Sequence, residues 1–147
     1  AIESARSFVK DAKQKGGVIL TGGHAIDDHF FEPTIIGNAH DAMRCFTEEI
    51  FGPIAPIYKF STDEEAVRMA NDTIYGLASY FYSENMSRCW KIAEALEYGM
   101  VGINEGIIST EVAPFGGIKF SGQGREGSKY GIEDYLDIKY MCFGNII

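Results

Sequence analysis

Between residues 17 and 104, short apolar runs alternate with amphipathic stretches, and glycine, proline or capping residues separate them. This alternation restricts the fold more than any other feature of the chain. Gly16-Gly17 close an opening helix whose Ile2, Ala5, Phe8 or Val9, and Ala12 share one face. Val18-Ile19-Leu20 then reads as a short buried strand, bounded by Gly22-Gly23. Pro33 bars a helix interior, so residues 30–36 are extended, and residues 38–47 are left open between a short helix and a turn. The run from Ile54 to Phe60 reads as a strand beginning near Ala55. Thr62-Asp63-Glu64-Glu65 has the capping-box pattern and starts a helix with the stripe Ala66, Val67 and Ala70, ending near Gly76. Residues 77–82, rich in aromatics, read as a strand. Asn85 caps a helix in which Met86, Cys89, Trp90, Ala93 and Leu96 recur at core spacing, and Val101-Gly102-Ile103-Asn104 is a further strand. Strands separated by helices predict an α/β fold, a three-layer domain with a mostly parallel sheet.

Beyond residue 104 the pattern dissolves into a glycine-rich loop over residues 105–127, a length that in a compact domain usually serves function. A shorter helix is expected over residues 128–136. The apolar run over residues 138–143 reads as a terminal strand, which needs a partner edge. The division expected is one domain part over residues 1–136 and a C-terminal oligomerisation strand over residues 137–147. Gly122-Gln123-Gly124-Arg125-Glu126-Gly127 satisfies the dinucleotide fingerprint G-x-G-x-x-G, but its context fails. No buried strand precedes it, and the ribose-binding acid of that motif is missing. The glycines are read instead as letting the backbone turn and pass close to a neighbouring segment.

The 147 residues carry 13 Lys+Arg against 21 Asp+Glu, a net charge of −8 without a basic cluster, which disfavours nucleic acid as a partner. Apolar stretches are too short for a membrane-spanning helix. Cys45, Cys89 and Cys142 are odd in number and unpaired in spacing, pointing to reduced thiols in the cytoplasm and away from a disulfide framework. His40 and Cys45 are too few to make a metal site, and none is expected. His24 and His29 flank a polar turn. The first helix is under way at Ala1 without a capping residue, from which sequence upstream of Ala1 is expected.

Two stretches carry a resemblance: Glu48-Glu49-Ile50-Phe51-Gly52-Pro53, and Pro114-Phe115-Gly116-Gly117-Ile118-Lys119-Phe120-Ser121-Gly122-Gln123-Gly124-Arg125-Glu126. With Asn71-Asp72-Thr73-Ile74-Tyr75-Gly76-Leu77 between them, the chain resembles the C-terminal third of the aldehyde dehydrogenase superfamily. Residues 94–99, 102–109 and 128–136 resemble its succinate-semialdehyde dehydrogenase branch. The resemblance implies that Glu49 hydrogen-bonds the nicotinamide ribose and that Phe51 packs near the nicotinamide ring of NAD or NADP. It implies that Ser109 helps bind the distal carboxylate of the substrate, since a hydroxyl can donate to a carboxylate where a phenyl ring cannot. Phe115 matches an aromatic lining the substrate tunnel. The segment over residues 138–143 matches one that joins the sheet of a neighbouring subunit, implying a homo-oligomer.

In that family a cysteine thiolate attacks the aldehyde, hydride passes to NAD(P)+, and a glutamate-activated water hydrolyses the thioester. None of the three cysteines lies in the nucleophile motif, and all three are read as structural. No catalytic residue is therefore expected in this chain. The nucleophile, the base and the cofactor domain are expected upstream, and these 147 residues alone are expected to be inactive. The alternative is a non-catalytic truncated or assembly module that retains the fold.

Overall fold

The structure, a computed structural model, describes residues 1–145. The chain divides into two compact units, Ala1–Ala66 and Val67–Ile147.

In the first unit, helix α1 (Ile2–Gln14) buries Ala5, Phe8, Val9 and Ala12, the face its spacing predicts. A three-stranded sheet places β2 (Thr34–Gly37) between β1 (Val18–Thr21), antiparallel to it, and β3 (Ile54–Pro56), parallel to it. Along β2 Ile36 is fully buried while Ile35 is exposed, as strand alternation requires. Phe31, Ala39, Met43 and Ile54 complete one apolar cluster with α1 and Ile36. Buried Thr34 is satisfied on both sides: its hydroxyl donates to Glu32 O at 2.8 Å and accepts from Gly23 N at 2.8 Å. The stretch left open contains a one-turn helix, α2 (Arg44–Thr47).

Arg44 ties α2 to α1. Its backbone N–H donates to Asp11 at 2.8 Å, its Nη1 to the Ser7 hydroxyl at 3.1 Å, and its guanidinium lies 4.9 Å from the Phe8 ring centre. The same guanidinium holds Glu48 through two hydrogen bonds of 2.7 and 2.6 Å.

The division between units falls within helix α3 (Asp63–Asn71). Thr62 accepts from the Glu65 N–H at 3.2 Å as the capping box predicts, while Glu65 reaches one residue further back, to Ser61 N, at 2.7 Å. The helix stops at Asn71 instead of near Gly76, because the Asn71 side chain is engaged elsewhere. Its amide donates to Ala95 O at 2.8 Å and its oxygen accepts from Glu97 N at 2.9 Å.

In the second unit, β5 (Ala78–Phe81) and β6 (Met100–Ile103) pair in parallel through helix α4 (Met86–Ala95). The short strands β4 (Tyr75–Gly76) and β7 (Ile118–Lys119) pair antiparallel. Asn85 caps α4, accepting from Arg88 N at 3.0 Å.

The α/β class holds. In place of one mostly parallel sheet the described residues form three small sheets, with β2/β3 and β5/β6 parallel and β1/β2 and β4/β7 antiparallel. The stripe on α4 is not core: Cys89 is buried, but Met86 is 79% and Trp90 66% exposed, since no described element covers that face. The α3 stripe likewise reaches only partial burial. Residues 128–136 form turns and a 3-10 helix, Glu133–Tyr135, where an α-helix was expected. Gly127 and Gly131 cost helix stability there, and the Asp134 carboxylate bonds back to Arg125 N. Residues 138–143 form no ladder among the described residues, and the last two residues of the expected C-terminal strand lie outside them.

Candidate functional site

Ser109 and Phe115 line one cavity of about 250 Å³ in the second unit, together with Leu77, Ala78, Tyr80, Met100 and Ile107. Strand alternation puts Ala78 and Tyr80 on one face of β5, and the register brings Met100 and Gly102 opposite them. The loop that delivers Ser109 is shaped at its root. Asn104, in left-handed conformation at φ 55°, accepts from Ser83 N and donates to Ser83 O, both at 2.8 Å. The Glu105 carboxylate then accepts from Gly106 N at 2.8 Å and Ile107 N at 3.1 Å. The Ser109 hydroxyl has no hydrogen-bond partner among the described residues, so it is free to donate. Phe115 is fixed through its backbone, which exchanges hydrogen bonds of 2.9 and 2.7 Å with Glu126.

Glu49 and Phe51 lie in the first unit, on the segment between α2 and β3. Ile50 packs against the apolar cluster, which leaves its two neighbours facing outward, and Phe51 is 81% exposed. Glu48 is consumed by Arg44, whose guanidinium hydrogen bonds hold its carboxyl below the usual range. Glu49 has no hydrogen-bond or ionic partner among the described residues. Of two adjacent glutamates, one fastens the fold and the other presents a free acceptor.

Gly124 and Gly127 of the fingerprint-like stretch line a second cavity of about 700 Å³ in the second unit, bordered by Phe115, Arg125 and Asp134. Gly124 adopts φ 81°, and a Cβ there would run into the Asp134 carboxylate. Arg125 N donates to Asp134 at 2.8 Å and Glu126 N donates to Phe115 O, so these amides are not available to a phosphate. The motif follows a two-residue strand, and no α-helix succeeds it among the described residues, which removes the helix terminus the fingerprint depends on. The sequence argument missed Tyr80 and Met100 as lining residues. Their only signal was parity with Ala78 across β5 and β6, and that depends on a register the sequence does not display.

The cysteines stand apart from the cavity lining. Cys45 Sγ lies 3.5 Å from the Tyr58 hydroxyl in the first unit, Cys89 is buried on α4, and Cys142 is exposed. The exposure of Cys142 differs from the structural role expected of it, because its segment packs against nothing described. His40 Nε2 is 2.9 Å from Lys15 O. No group of three metal-ligating side chains gathers among the described residues, and no helix among them is long and apolar enough to cross a membrane.

The chain belongs to the aldehyde dehydrogenase family, which it matches over residues 1–141. Within that family it is similar to a mitochondrial succinate-semialdehyde dehydrogenase of Oryza sativa, 55% identical over 99% of this chain and 28% of the relative. A glutarate-semialdehyde dehydrogenase of Pseudomonas putida is 57% identical over 97% of this chain and 30% of the relative. The crystal structure of an E. coli NADP dependent enzyme superposes with a TM-score of 0.93 at 52% identity, covering 98% of this chain and 30% of that one. The chain thus spans 28–30% of the length of these relatives.

Proposed function

We propose that the chain forms the C-terminal part of the catalytic domain of an NAD(P)-dependent aldehyde dehydrogenase that oxidises succinic semialdehyde. The observation that carries this reading is the joint placement of Ser109, with its free hydroxyl, and Phe115 on one apolar-walled cavity. Ser109 donates to the distal carboxylate of the substrate, while Phe115, Leu77 and Met100 pack along its carbon chain and keep water from it. On the first unit, the unpartnered Glu49 carboxylate fits the hydroxyls of a ribose, and the outward ring of Phe51 fits the edge of a nicotinamide. Bound NAD(P) supplies the hydride acceptor. The preference between NAD and NADP lies with groups other than these two.

None of the three cysteines lines the Ser109 cavity. The nucleophile and base therefore come from residues outside these 147, and the chain alone turns over no aldehyde. The reading also includes a cytoplasmic location, supported by the free cysteines. It includes a homo-oligomer formed through residues 137–147, supported by the exposed, unladdered Ile138, Tyr140 and Phe143.

The test is a titration of the chain with succinic semialdehyde, followed by amide chemical shifts. Saturable shifts at residues 106–116 are expected, with Ser109→Ala weakening binding about tenfold, the value of one hydrogen bond to a charged group. Binding that ignores Ser109→Ala, or no binding, overturns the substrate assignment and favours the assembly module. Measurable turnover by the chain alone overturns the inactivity.

A further inference from the structure

The parallel register sets Tyr80 on β5 opposite Gly102 on β6. Gly102 is buried, and its φ lies outside the left-handed region, so backbone conformation does not require a glycine there. Space does. A Cβ on residue 102 would stand 2.5 Å from Tyr80 Cδ1 and 2.8 Å from Glu105 O. The Tyr80 ring lies against β6 in the volume a side chain would fill, an arrangement in which an aromatic covers a cross-strand glycine. That ring lines the cavity shared by Ser109 and Phe115. Glu105, the other group a Cβ would strike, shapes the root of the loop that carries Ser109.

The cavity walls differ in how firmly they are held. Ile107 sits on a loop and is 83% exposed, and Met100 is a flexible side chain. Tyr80 is large and seated on a sheet, and although 49% exposed, its ring is packed over Gly102. Relatives that act on succinate and on glutarate semialdehydes resemble this chain about equally, at 55% and 57% identity. Those two substrates share both functional ends and differ by one methylene, so the chemistry of the ends alone does not tell them apart. A wall at fixed distance does.

We propose that Tyr80 sets the carbon-chain length of the semialdehyde and that Gly102 is the positioning residue that holds its ring in place. This rests on the substrate reading given above. One methylene in an apolar pocket is worth roughly a 10–200-fold change in selectivity.

The chain and its variants are titrated with succinic semialdehyde and, separately, with glutaric semialdehyde, and the ratio of the two Kd values is read by amide shifts. Tyr80→Ala is expected to move that ratio at least about tenfold toward the five-carbon ligand, and Tyr80→Phe is expected to leave it unchanged. Gly102→Ala is expected to shift the ratio although residue 102 touches no ligand, and to lower Tm. The double variant Gly102→Ala/Tyr80→Ala is expected to recover Tm while keeping the ratio of Tyr80→Ala. A purely structural glycine would move Tm alone. If the wild-type chain binds both ligands and Tyr80→Ala leaves the ratio unmoved, the length assignment falls and the substrate cavity stands. If the wild-type chain binds neither, the substrate reading falls and takes this one with it. Should Gly102→Ala not fold, the comparison of Tyr80→Ala with Tyr80→Phe still decides the role of Tyr80.

Discussion

The two units of this chain are held together by different forces. The first is organised around a continuous apolar cluster in which Phe8, Ile36, Met43 and Ile54 are buried between a helix and a sheet. The second buries one apolar side chain, Cys89, among its described residues, and relies on polar fastenings. Asn71 bonds Ala95 O and Glu97 N, Tyr98 Oη donates to Ala70 O at 2.6 Å, and Lys119 Nζ reaches Glu97 at 2.7 Å and two carbonyls. The unit that carries the Ser109 cavity is thus the one with least apolar burial. Hydrogen bonds fix positions but each contributes little net stability, whereas buried area accumulates. A loop-built site held by hydrogen bonds is well placed geometrically and weakly defended against opening.

Ile36→Ala should break the comparison hardest. Emptying the centre of the first cluster is expected to destabilise that unit by about 2–5 kcal/mol, read as a loss of amide protection over residues 1–66 in hydrogen exchange. Equal loss at Trp90→Ser would contradict the contrast, because that exposed position is expected to change stability by at most about 0.5 kcal/mol. Next in size is Asn71→Ala, which removes two hydrogen bonds from the second unit. It is expected to cost about 1–2 kcal/mol, with exchange accelerating at residues 95–99 and the first unit left unchanged.

The pH limits sharpen the comparison further. In the first unit Asp11 is held below the usual carboxylate range, first by its bond to Lys15 and then by Arg44 N–H. Glu48 is likewise lowered by Arg44. A depressed carboxyl contributes stability that is present above its unfolded value near pH 4 and lost as pH falls below it. Asp11→Asn should therefore flatten the acid limb of the first unit, as seen by chemical shifts of α1 and α2 on acid titration. Tyr58 acts at the opposite limb. Burial, reinforced by the Cys45 contact, pushes its phenol upward. Its contribution is complete below about pH 10 and lost as pH rises further, so Tyr58→Phe should remove that alkaline loss.

Much of the first unit was legible before any coordinates. The α1 stripe and the strand at Thr34 meet a core inside the same unit, whereas β1 forms where its apolar run predicts but is not the buried strand expected, with Val18 and Leu20 exposed and only Ile19 packed on the cluster. Periodicity misled for α4. Met86 and Trp90 have core spacing but lie exposed, since spacing reports that a face is apolar and not what covers it. The helix end at Asn71 was hidden for a related reason. Its side-chain partners, Ala95 and Glu97, are more than twenty residues distant, beyond any local signal.

The candidate site divides along the same line. By itself the sequence determined the family and the α/β class, because these reside in motif identity and in the alternation of elements, and the family resemblance implied roles for Glu49, Phe51, Ser109 and Phe115. It also showed that the glycine fingerprint lacks its strand and its ribose-binding acid, whereas the replacement of the following helix by turns and a 3-10 helix came from the structure. The tertiary structure decided that Ser109 and Phe115 share a cavity, that Arg44 claims Glu48 and leaves Glu49 free, and that Tyr80 lies across Gly102. The first and last depend on segments distant in sequence, while the Arg44–Glu48 pair is an i, i+4 contact whose choice of Glu48 over Glu49 the folded backbone makes. Strand register and side-chain competition for a partner are settled only when the chain has closed on itself.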